Sequence, residues 1–189
     1  MGVKQHNLKG IVTATALFAV FCQPLAAQTA DTGDEKALLS ALSDADAAEA
    51  VQLERQLQAL WSHSDSPAMD LLLKRGREAL QAGDMQTAIE HLTALTDHAP
   101  DFAEGWHLRA SAYYEAGLYG PAVADLERAL KLNPNNFQAI YGLGTIFESL
   151  GDTRNAYRAY KLAQAIHPHY ESVTEALERL KPEVEGKPL

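Results

Sequence analysis

The chain has 189 residues, of which 47% are hydrophobic and 22% are charged, enough for one domain of ordinary size. Its 25 acidic side chains outnumber its 16 basic ones, so the formal net charge is −9 at pH 7. An acidic surface repels phosphate groups, which argues against nucleic acid and anionic membranes as partners.

The first 27 residues have the layout of a secretory signal peptide. Lys4 and Lys9 give a positive start, an apolar run occupies 11–22, and Ala27 supplies a small residue before a cleavage point. The run is shorter than the roughly 18–20 residues that a membrane-spanning helix needs, which disfavours the alternative of an uncleaved anchor. We therefore expect a secreted protein, periplasmic in a Gram-negative bacterium, with no stable membrane insertion after cleavage of the signal peptide.

Cleavage after Ala27 would change the chemistry of the mature chain. It would remove Cys22, the only cysteine, so the mature protein would form no disulfide and hold no metal through cysteine. It would also remove two lysines, leaving 14 basic against 25 acidic residues and a net charge of −11.

Residues 28–66 form an acidic N-terminal segment that joins the signal peptide to the rest of the chain. Between positions 31 and 65, eight acidic side chains face two basic ones, a net charge of −6. The small and polar residues 28–34 predict a flexible lead-in. Residues 36–42 contain enough apolar side chains for a short helix.

A longer helix is predicted over 47–62. Asp46 and Glu49 have the spacing of a capping box at its start. Its apolar residues form one stripe, made of Ala50, Leu53, Leu57, Leu60 and Trp61. We interpret the segment as an N-terminal cap over the exposed apolar side of the first of the repeats that follow, since helical arrays need such caps. The alternative is a helix that docks onto a partner or onto a second copy of the chain.

Three repeats of 34 residues occupy 67–170, at about 69–102, 103–136 and 137–170. Four rows of residues recur at this interval: Pro100, Pro134 and Pro168; Gly83, Gly117 and Gly151; Ala88, Ala122 and Ala156; Gly76, Ala110 and Gly144. Internal periodicity of this length indicates a helical repeat array.

Each repeat predicts two helices, because its apolar residues lie three and four positions apart in two blocks. The six predicted helices span 68–81, 85–98, 102–116, 119–132, 137–150 and 153–166. The recurring glycines lie between the helices of a pair, where a left-handed conformation ends the first helix. The recurring small residues lie where the two helices cross, and they let the helix axes approach closely.

Local signals mark the helix starts in the array. Ser66 suits an N-cap and Pro67 a first helical position at the start of the first repeat. Asp101 and Glu104 have capping-box spacing at the start of the second.

The array is followed by one more helix. Residues 171–181 place their apolar side chains on one face and predict a capping helix. Pro182 is expected to end it, and 182–189 to form a loose tail.

The repeats resemble the tetratricopeptide repeat (TPR) family, whose pattern is W-x2-L-G-x2-Y…G…A…F…A…P. The middle repeat matches this pattern at Trp106, Ala110, Tyr113, Gly117, Ala122, Leu126, Ala129 and Pro134. Arg109 stands where the family usually has Leu. The third repeat matches at Leu143, Gly144, Phe147, Gly151, Ala156, Tyr160, Ala163 and Pro168, and the first at Leu72, Gly76, Gly83, Ala88, Leu92 and Pro100. The resemblance implies an all-α TPR solenoid of three helix-turn-helix repeats, with an N-terminal helical extension and a C-terminal capping helix.

In TPR proteins the first helices of the pairs line a concave groove. The resemblance implies that the groove residues here are Asp70, Leu73, Arg77, Leu80, Glu104, His107, Ser111, Tyr114, Glu115, Gln138, Tyr141, Thr145 and Glu148. This mixture suits a peptide or helix of a partner protein, with Tyr114 and Tyr141 as rigid anchors. The alternative is that both tyrosines only pack between neighbouring repeats.

One TPR subtype, the carboxylate clamp that holds chaperone C-termini, does not fit. Its first helix needs Lys and Asn and its third helix Lys and Arg. The corresponding residues here are Leu73, Arg77, Gln138 and Gly142, of which only one is basic.

The sequence gives no sign of an enzyme, a cofactor or a metal centre. No Ser/His/Asp arrangement has a nucleophile context, and the glycines lie between helices, not in a phosphate-binding loop. His167 and His169 flank a repeat-ending proline without a third ligand nearby and are expected to be solvated turn residues.

We therefore expect a non-catalytic adaptor or scaffold that binds a peptide or helix of an envelope protein in its groove. A second hypothesis is a structural module that self-associates through the N-terminal helix or the ends of the array. A third is an accessory subunit of an envelope enzyme or assembly machine.

Overall fold

A computed structural model of the protein describes residues 28–184 and 186, with side-chain environments from residue 34 onwards. The expected signal peptide, 1–27, lies outside the described residues. The described part contains nine helices and no strand: α1 (Gln28–Asp44), α2 (Ala47–Trp61), α3 (Pro67–Gln81), α4 (Met85–His98), α5 (Ala103–Glu115), α6 (Tyr119–Leu132), α7 (Phe137–Ser149), α8 (Thr153–Ile166) and α9 (Glu171–Val184). The predicted all-α solenoid fold is confirmed, and the six repeat helices lie within two residues of their expected bounds.

The repeats are built from the antiparallel pairs α3/α4, α5/α6 and α7/α8, each held together at a close crossing. A Cβ atom on Gly76 would lie 2.5 Å from Cγ of Leu92, and one on Gly144 would collide with the ring of Tyr160. The facing alanine of the middle pair, Ala122, is fully buried. The small residues at these positions therefore set the distance between the helices of each pair, as the sequence predicts.

The turn within each pair depends on glycine. Gly83, Gly117 and Gly151 have φ angles of 76°, 74° and 76°, in the left-handed region that other residues enter only with strain. Asp84 and Asp152 then cap the following helices, each through its carboxylate and the backbone N–H three residues on. Glycine therefore recurs in the sequence because the backbone at each of these turns has a positive φ angle.

One of the expected helix caps is wrong. The N-cap of α5 is Phe102, not Asp101, and Glu104 is buried instead of closing a capping box. Asp101 is paired with Arg128 at 3.1 Å, which draws its side chain away from the helix end. Ser66 takes the N-cap position of α3 and Pro67 the first helical position, both as expected, although the Ser66 side chain makes no capping hydrogen bond.

The N-terminal hairpin, which we define as α1 and α2, does not cover the first repeat. Asp46 caps α2 as predicted, accepting from the N–H of Ala48 and of Glu49 at 2.9 Å each. The apolar stripe of α2, however, enters one core with the third repeat and α9, a core whose largest buried members include Leu42, Leu57, Phe137, Tyr160 and Val173. The expected location of the cap was therefore wrong, since the apolar surface available to the stripe lies at the opposite end of the array.

Two further contacts fix the direction of α2. Near its end, the ring of Trp61 lies 5.5 Å from that of Phe137, at the start of the third repeat. Midway along, Oε2 of Glu54 lies 3.3 Å from Nε2 of His167. The helix therefore runs along the loops that join the repeats. The preceding helix α1 starts at Gln28, so the expected flexible lead-in over 28–34 is helical instead.

The C-terminal helix α9 packs on α8 through Val173, Leu177 and Leu180, all buried as expected. It continues two residues past Pro182, so this proline does not end the helix as predicted. The Oγ1 hydroxyl of Thr153 in α8 donates to Glu183 at 2.8 Å, which holds the last turn against the array. Among the described helices, none is both long and apolar enough to cross a membrane.

Candidate functional site

An open cavity of about 790 Å³ lies between α2 and the first helices of the three repeats, α3, α5 and α7. Nine of the thirteen expected groove residues line it: Arg77, Glu104, His107, Ser111, Tyr114, Glu115, Gln138, Tyr141 and Thr145. The volume falls within the range of about 300–1,000 Å³ that is usual for ligand sites in proteins. The structure thus brings most of these side chains to one place.

Three of the remaining groove residues belong to the first repeat and face elsewhere. Leu73 and Leu80 pack in the core between α3 and α4. The carboxylate of Asp70 accepts from the backbone N–H and the hydroxyl of Ser64, at 2.8 and 2.6 Å. These hydrogen bonds, with the nearby His63, hold the pKa of Asp70 below its usual value. The first repeat therefore contributes only Arg77 to the cavity.

Glu148, the thirteenth residue, is also absent from the cavity lining. Both of its carboxylate oxygens accept hydrogen bonds from Arg179 of α9, and Oε2 accepts a further one from the hydroxyl of Tyr160 at 3.0 Å. The bonds from Arg179 are the main reason why the pKa of Glu148 is lowered. This residue joins the third repeat to the capping helix.

A buried ionic network forms one wall of the cavity. Nη2 of Arg77 donates to Oγ of Ser62 at 2.9 Å and to Oε1 of Glu104 at 3.2 Å. Nδ1 of His107 lies 3.1 Å from Oε2 of the same glutamate, whose side chain is only 8% exposed. Since a carboxylate can only accept, Nδ1 carries the proton, and Nε2 of a neutral ring is left as an acceptor. A buried carboxylate held in this way keeps the surrounding side chains in fixed positions.

The two expected tyrosine anchors both pack against neighbours and line the cavity. The hydroxyl of Tyr114 lies 3.3 Å from Oγ of Ser149. The ring of Tyr141 lies 5.5 Å from that of Tyr160 and 5.4 Å from that of Tyr170. Burial raises the pKa of Tyr170 to about 12. Packing against neighbouring residues therefore leaves both side chains accessible from the cavity, and their role as anchors stays a prediction.

The N-terminal hairpin supplies cavity residues that the sequence did not reveal. Arg55, Gln58 and Ala59 of α2, and Ser62 directly after it, line the side opposite the repeats. The amphipathic pattern of α2 shows which face is buried, but it does not show what that face docks against. These residues precede the start of the third repeat by 75 positions or more, so no local sequence pattern indicates that they face it.

His167 anchors this wall and is not the solvated turn residue that the sequence predicts. It is 2% exposed, with its ring 5.0 Å from Phe137 at an interplanar angle of 90° and 5.4 Å from Tyr170 at 16°. The N-terminal hairpin covers the ring, and Oε2 of Glu54 lies 3.3 Å from its Nε2 atom. His169 is exposed, as expected. Within the described part of the chain, no three His, Cys, Asp or Glu side chains are grouped to hold a metal ion.

Family models and relatives agree with this architecture. A model described as "TPR repeat" matches residues 110–151, and one described as "Tetratricopeptide repeat" matches 73–120. A TPR repeat-containing protein of Rhizobium etli is 26% identical over 143 residues, which is 76% of this chain and 69% of that protein. The human Protein SGT1 homolog is 40% identical over 67 residues, but these make up 35% of this chain and only 18% of that protein.

Solved structures show the same fold. One is the first TPR domain of Spaghetti (RPAP3), bound to an HSP90 peptide. The match spans 66% of this chain and 98% of that domain, with 23% sequence identity and a TM-score of 0.61. The crystal structure of MamA covers 82% of this chain and 81% of its own, with 24% identity and a TM-score of 0.58. The chain has the fold of a TPR solenoid, and the matched repeats support its assignment to the tetratricopeptide repeat family.

Proposed function

We propose that the protein is a non-catalytic adaptor that binds a segment of a partner protein in the cavity between α2 and the repeats. The observation that carries the proposal is the convergence of nine expected groove residues on one cavity of about 790 Å³. Aromatic faces, hydrogen-bonding groups and fixed charges lie together there, the combination that protein-recognition sites use. The peptide bound to the similar RPAP3 domain gives further support.

We also propose that the protein acts outside the cytoplasm, on a partner in the cell envelope. The support is the arrangement of the first 27 residues: two lysines, an apolar run and a small residue before a cleavage point. The mature net charge of −11 favours a protein partner over a nucleic acid or an anionic lipid surface.

The test is capture of partners from native envelope extract with the full chain, expressed with a C-terminal tag in a Gram-negative host. The groove variant is Tyr114→Ala/Glu115→Ala, two residues that line the cavity. The matched control is Leu118→Ala/Glu127→Ala, an exposed leucine and an exposed glutamate of the same repeat that lie outside it. We expect one partner to be held by the wild type and the control and lost by the groove variant, with all three proteins melting at similar temperatures. Equal capture by the groove variant would place the binding surface elsewhere.

A further inference from the structure

Helix α8 has a charge distribution unlike that of the rest of the chain. Of the nine helices in the described part, it alone contains no acidic residue, yet it carries Arg154, Arg158 and Lys161. The whole chain has 25 acidic and 16 basic residues, so a helix with three cations and no anion departs from its composition. Charge segregated in this way is typical of surfaces that recognise a partner of opposite charge.

The three cations lie together on the outer face of α8. Their spacing of four and three positions places them on one side of the helix. The other side is buried in the core and consists of Ala156, Ala159, Tyr160 and Ala163. All three cations are exposed, and Leu162, which follows Lys161, is 62% exposed. We call Arg154, Arg158, Lys161 and Leu162 the basic stripe.

The basic stripe has no acidic partner within the described part of the chain. Arg158 and Lys161 donate only to side-chain amide oxygens of their own helix, at 3.5 and 3.0 Å. Arg154 bonds to no described residue. The two carboxylates at the start of α8 are engaged elsewhere, since Asp152 caps the helix and Glu183 accepts from a threonine of its first turn. The charges of the stripe are therefore available to an anionic partner from outside the molecule.

A complementary set of charges lies at the turn of the N-terminal hairpin. Asp44, Asp46 and Glu49, which we call the acidic turn, are all exposed and have no basic residue among them. The carboxylates of Asp44 and Glu49 bond to no described residue, and that of Asp46 accepts only from two backbone N–H groups of α2. Within one copy, the acidic turn and the basic stripe therefore form no ion pair with each other.

A second copy of the chain can satisfy both sets of charges at once. The hairpin and α8 bury their apolar sides in one core, so the acidic turn and the basic stripe belong to the same part of the molecule. In a pair of chains related by a two-fold axis, the acidic turn of each copy meets the basic stripe of the other. A head-to-tail contact would leave one set of each kind unpaired at the two ends.

A second copy also suits the basic stripe better than an anionic membrane does. Phosphate head groups have the opposite charge too, but the exposed carboxylates of the acidic turn, in the same part of the molecule, repel them. In a second copy, these carboxylates are themselves the ligand.

We infer that the basic stripe of α8 binds the acidic turn of a second copy, with Leu162 as the apolar contact between the charges. The protein therefore associates with itself through charge complementarity. No residue of α8 lines the cavity, so this contact is separate from the site of the proposed function and goes beyond it. A pair of chains joined in this way presents two cavities to its partners.

The test is the dependence of mass on protein concentration in sedimentation equilibrium. The full chain is used in a reducing buffer, so that no disulfide through Cys22 contributes. We expect the mass to rise above that of one chain at low salt. The association should weaken as the salt concentration is raised, because salt screens charges that are exposed to solvent.

Two charge-reversal variants test which surfaces meet. The stripe variant is Arg154→Glu/Arg158→Glu, and the hairpin variant is Asp44→Lys/Glu49→Lys. Asp46 is retained because it caps α2. Each variant alone should have a dissociation constant raised about tenfold or more, because like charges then face each other. An equimolar mixture of the two variants should associate again, since each reversed set then meets its opposite.

The design separates local charge from overall charge. The stripe variant makes the chain more negative and the hairpin variant makes it less negative, so a change in net charge cannot explain a loss in both. The matched control, Arg75→Glu/Lys131→Glu, alters the net charge as the stripe variant does, at exposed cations outside α8 and the cavity. This control should associate like the wild type, and all the proteins should melt at similar temperatures.

Several results would overturn the inference. They are a wild type that stays monomeric at every concentration, a control as weak as the stripe variant, or a mixture of the two variants that does not associate. Flotation with vesicles of phosphatidylglycerol and phosphatidylethanolamine is the second measurement. Vesicle binding that the wild type shows and the stripe variant loses would assign the stripe to a lipid surface instead. None of these results bears on capture by the cavity, so the proposed function stands or falls separately.

Discussion

Arg109 shows how a single residue can depart from the family pattern and still support the fold. Its guanidinium makes two hydrogen bonds to Asp125, at 2.7 and 2.9 Å, and a third to Thr96 at 2.7 Å. It also lies 4.8 Å from the centre of the Trp106 ring. The hydrogen bond to Asp125 is the main reason why the pKa of Arg109 is raised, so the side chain stays charged. Arg109 can therefore occupy a position where the family usually has leucine, because Asp125 lies beside it and balances its charge.

Arg109→Leu, which restores the usual family residue, should lower the free energy of unfolding by about 3–5 kcal/mol. The reason is that Asp125, 5% exposed, would keep a buried charge without its cation. The double variant Arg109→Leu/Asp125→Leu should recover most of the loss, because it removes both charges. Urea unfolding of the three proteins measures this, and a double variant as unstable as the single one would contradict it.

Glu148 predicts a dependence of stability on pH. Its folded-state pKa is lowered, chiefly by the hydrogen bonds from Arg179, so its contribution is complete above the ordinary glutamate pKa of about 4.3 and is lost as the pH falls through the lowered pKa. Since Arg179 is 56% exposed, we expect at most about 1 kcal/mol.

Glu148→Gln should therefore be less stable than the wild type at pH 7, and this difference in the free energy of unfolding should shrink as the pH is lowered toward 3. Glu178→Gln, at an exposed glutamate of α9, is the matched control and should change little at either pH. A constant difference for Glu148→Gln across this range would mean that its ion pair with Arg179 is not the cause.

Among the elements, α2 matters most for the cavity, because its residues belong both to the hydrophobic core and to the cavity wall. One side of it buries Leu53 and Leu57 against the third repeat and α9. Another side presents Arg55 and Gln58 to the cavity.

Leu57→Ala tests the docking of α2. The side chain is fully buried, so its truncation should lower the free energy of unfolding by about 2–5 kcal/mol. It should also weaken any ligand that touches Arg55, because the wall would be held less firmly. Leu162→Ala, at a leucine that is 62% exposed on α8, is the control and should change stability by less than about 0.5 kcal/mol. Thermal and urea unfolding measure both, and equal effects would show that α2 is not docked as described.

The sequence predicts the elements better than it predicts where they meet. The repeat helices follow from glycines and small residues at fixed intervals, since each of these reports a local backbone or packing requirement. The position of α2 depends on contacts with Phe137 and His167, which lie at the junctions between repeats and resemble ordinary loop residues in the sequence. Nine of the nineteen residues that line the cavity could thus be predicted from the family resemblance of the repeats, whereas the wall formed by α2 could not.

At the scale of the whole molecule, the signal-peptide pattern gives a prediction about the mature chain. Expressed in a Gram-negative host, the protein should be recovered from the periplasm with Gln28 as its first residue. Since the only cysteine, Cys22, precedes that residue, the mature protein should not react with a thiol-specific maleimide. Intact-mass measurement before and after labelling tests both points. A labelled chain that starts at Met1 and remains with the membrane would favour the uncleaved anchor.

The contact between Glu54 and His167 also bears on how the chain folds. In most repeat proteins each repeat touches only its neighbours, so folding spreads from any point and the ends fray first. Here the contact between Glu54 and His167, 113 positions apart, joins the N-terminal hairpin to the last repeat. Closing a loop of that length costs about 4 kcal/mol of chain entropy. The buried contacts of the hairpin offset this cost only after the loop has closed. The array should consequently fold more slowly than its helical content suggests, and once closed it should unfold in a single cooperative transition.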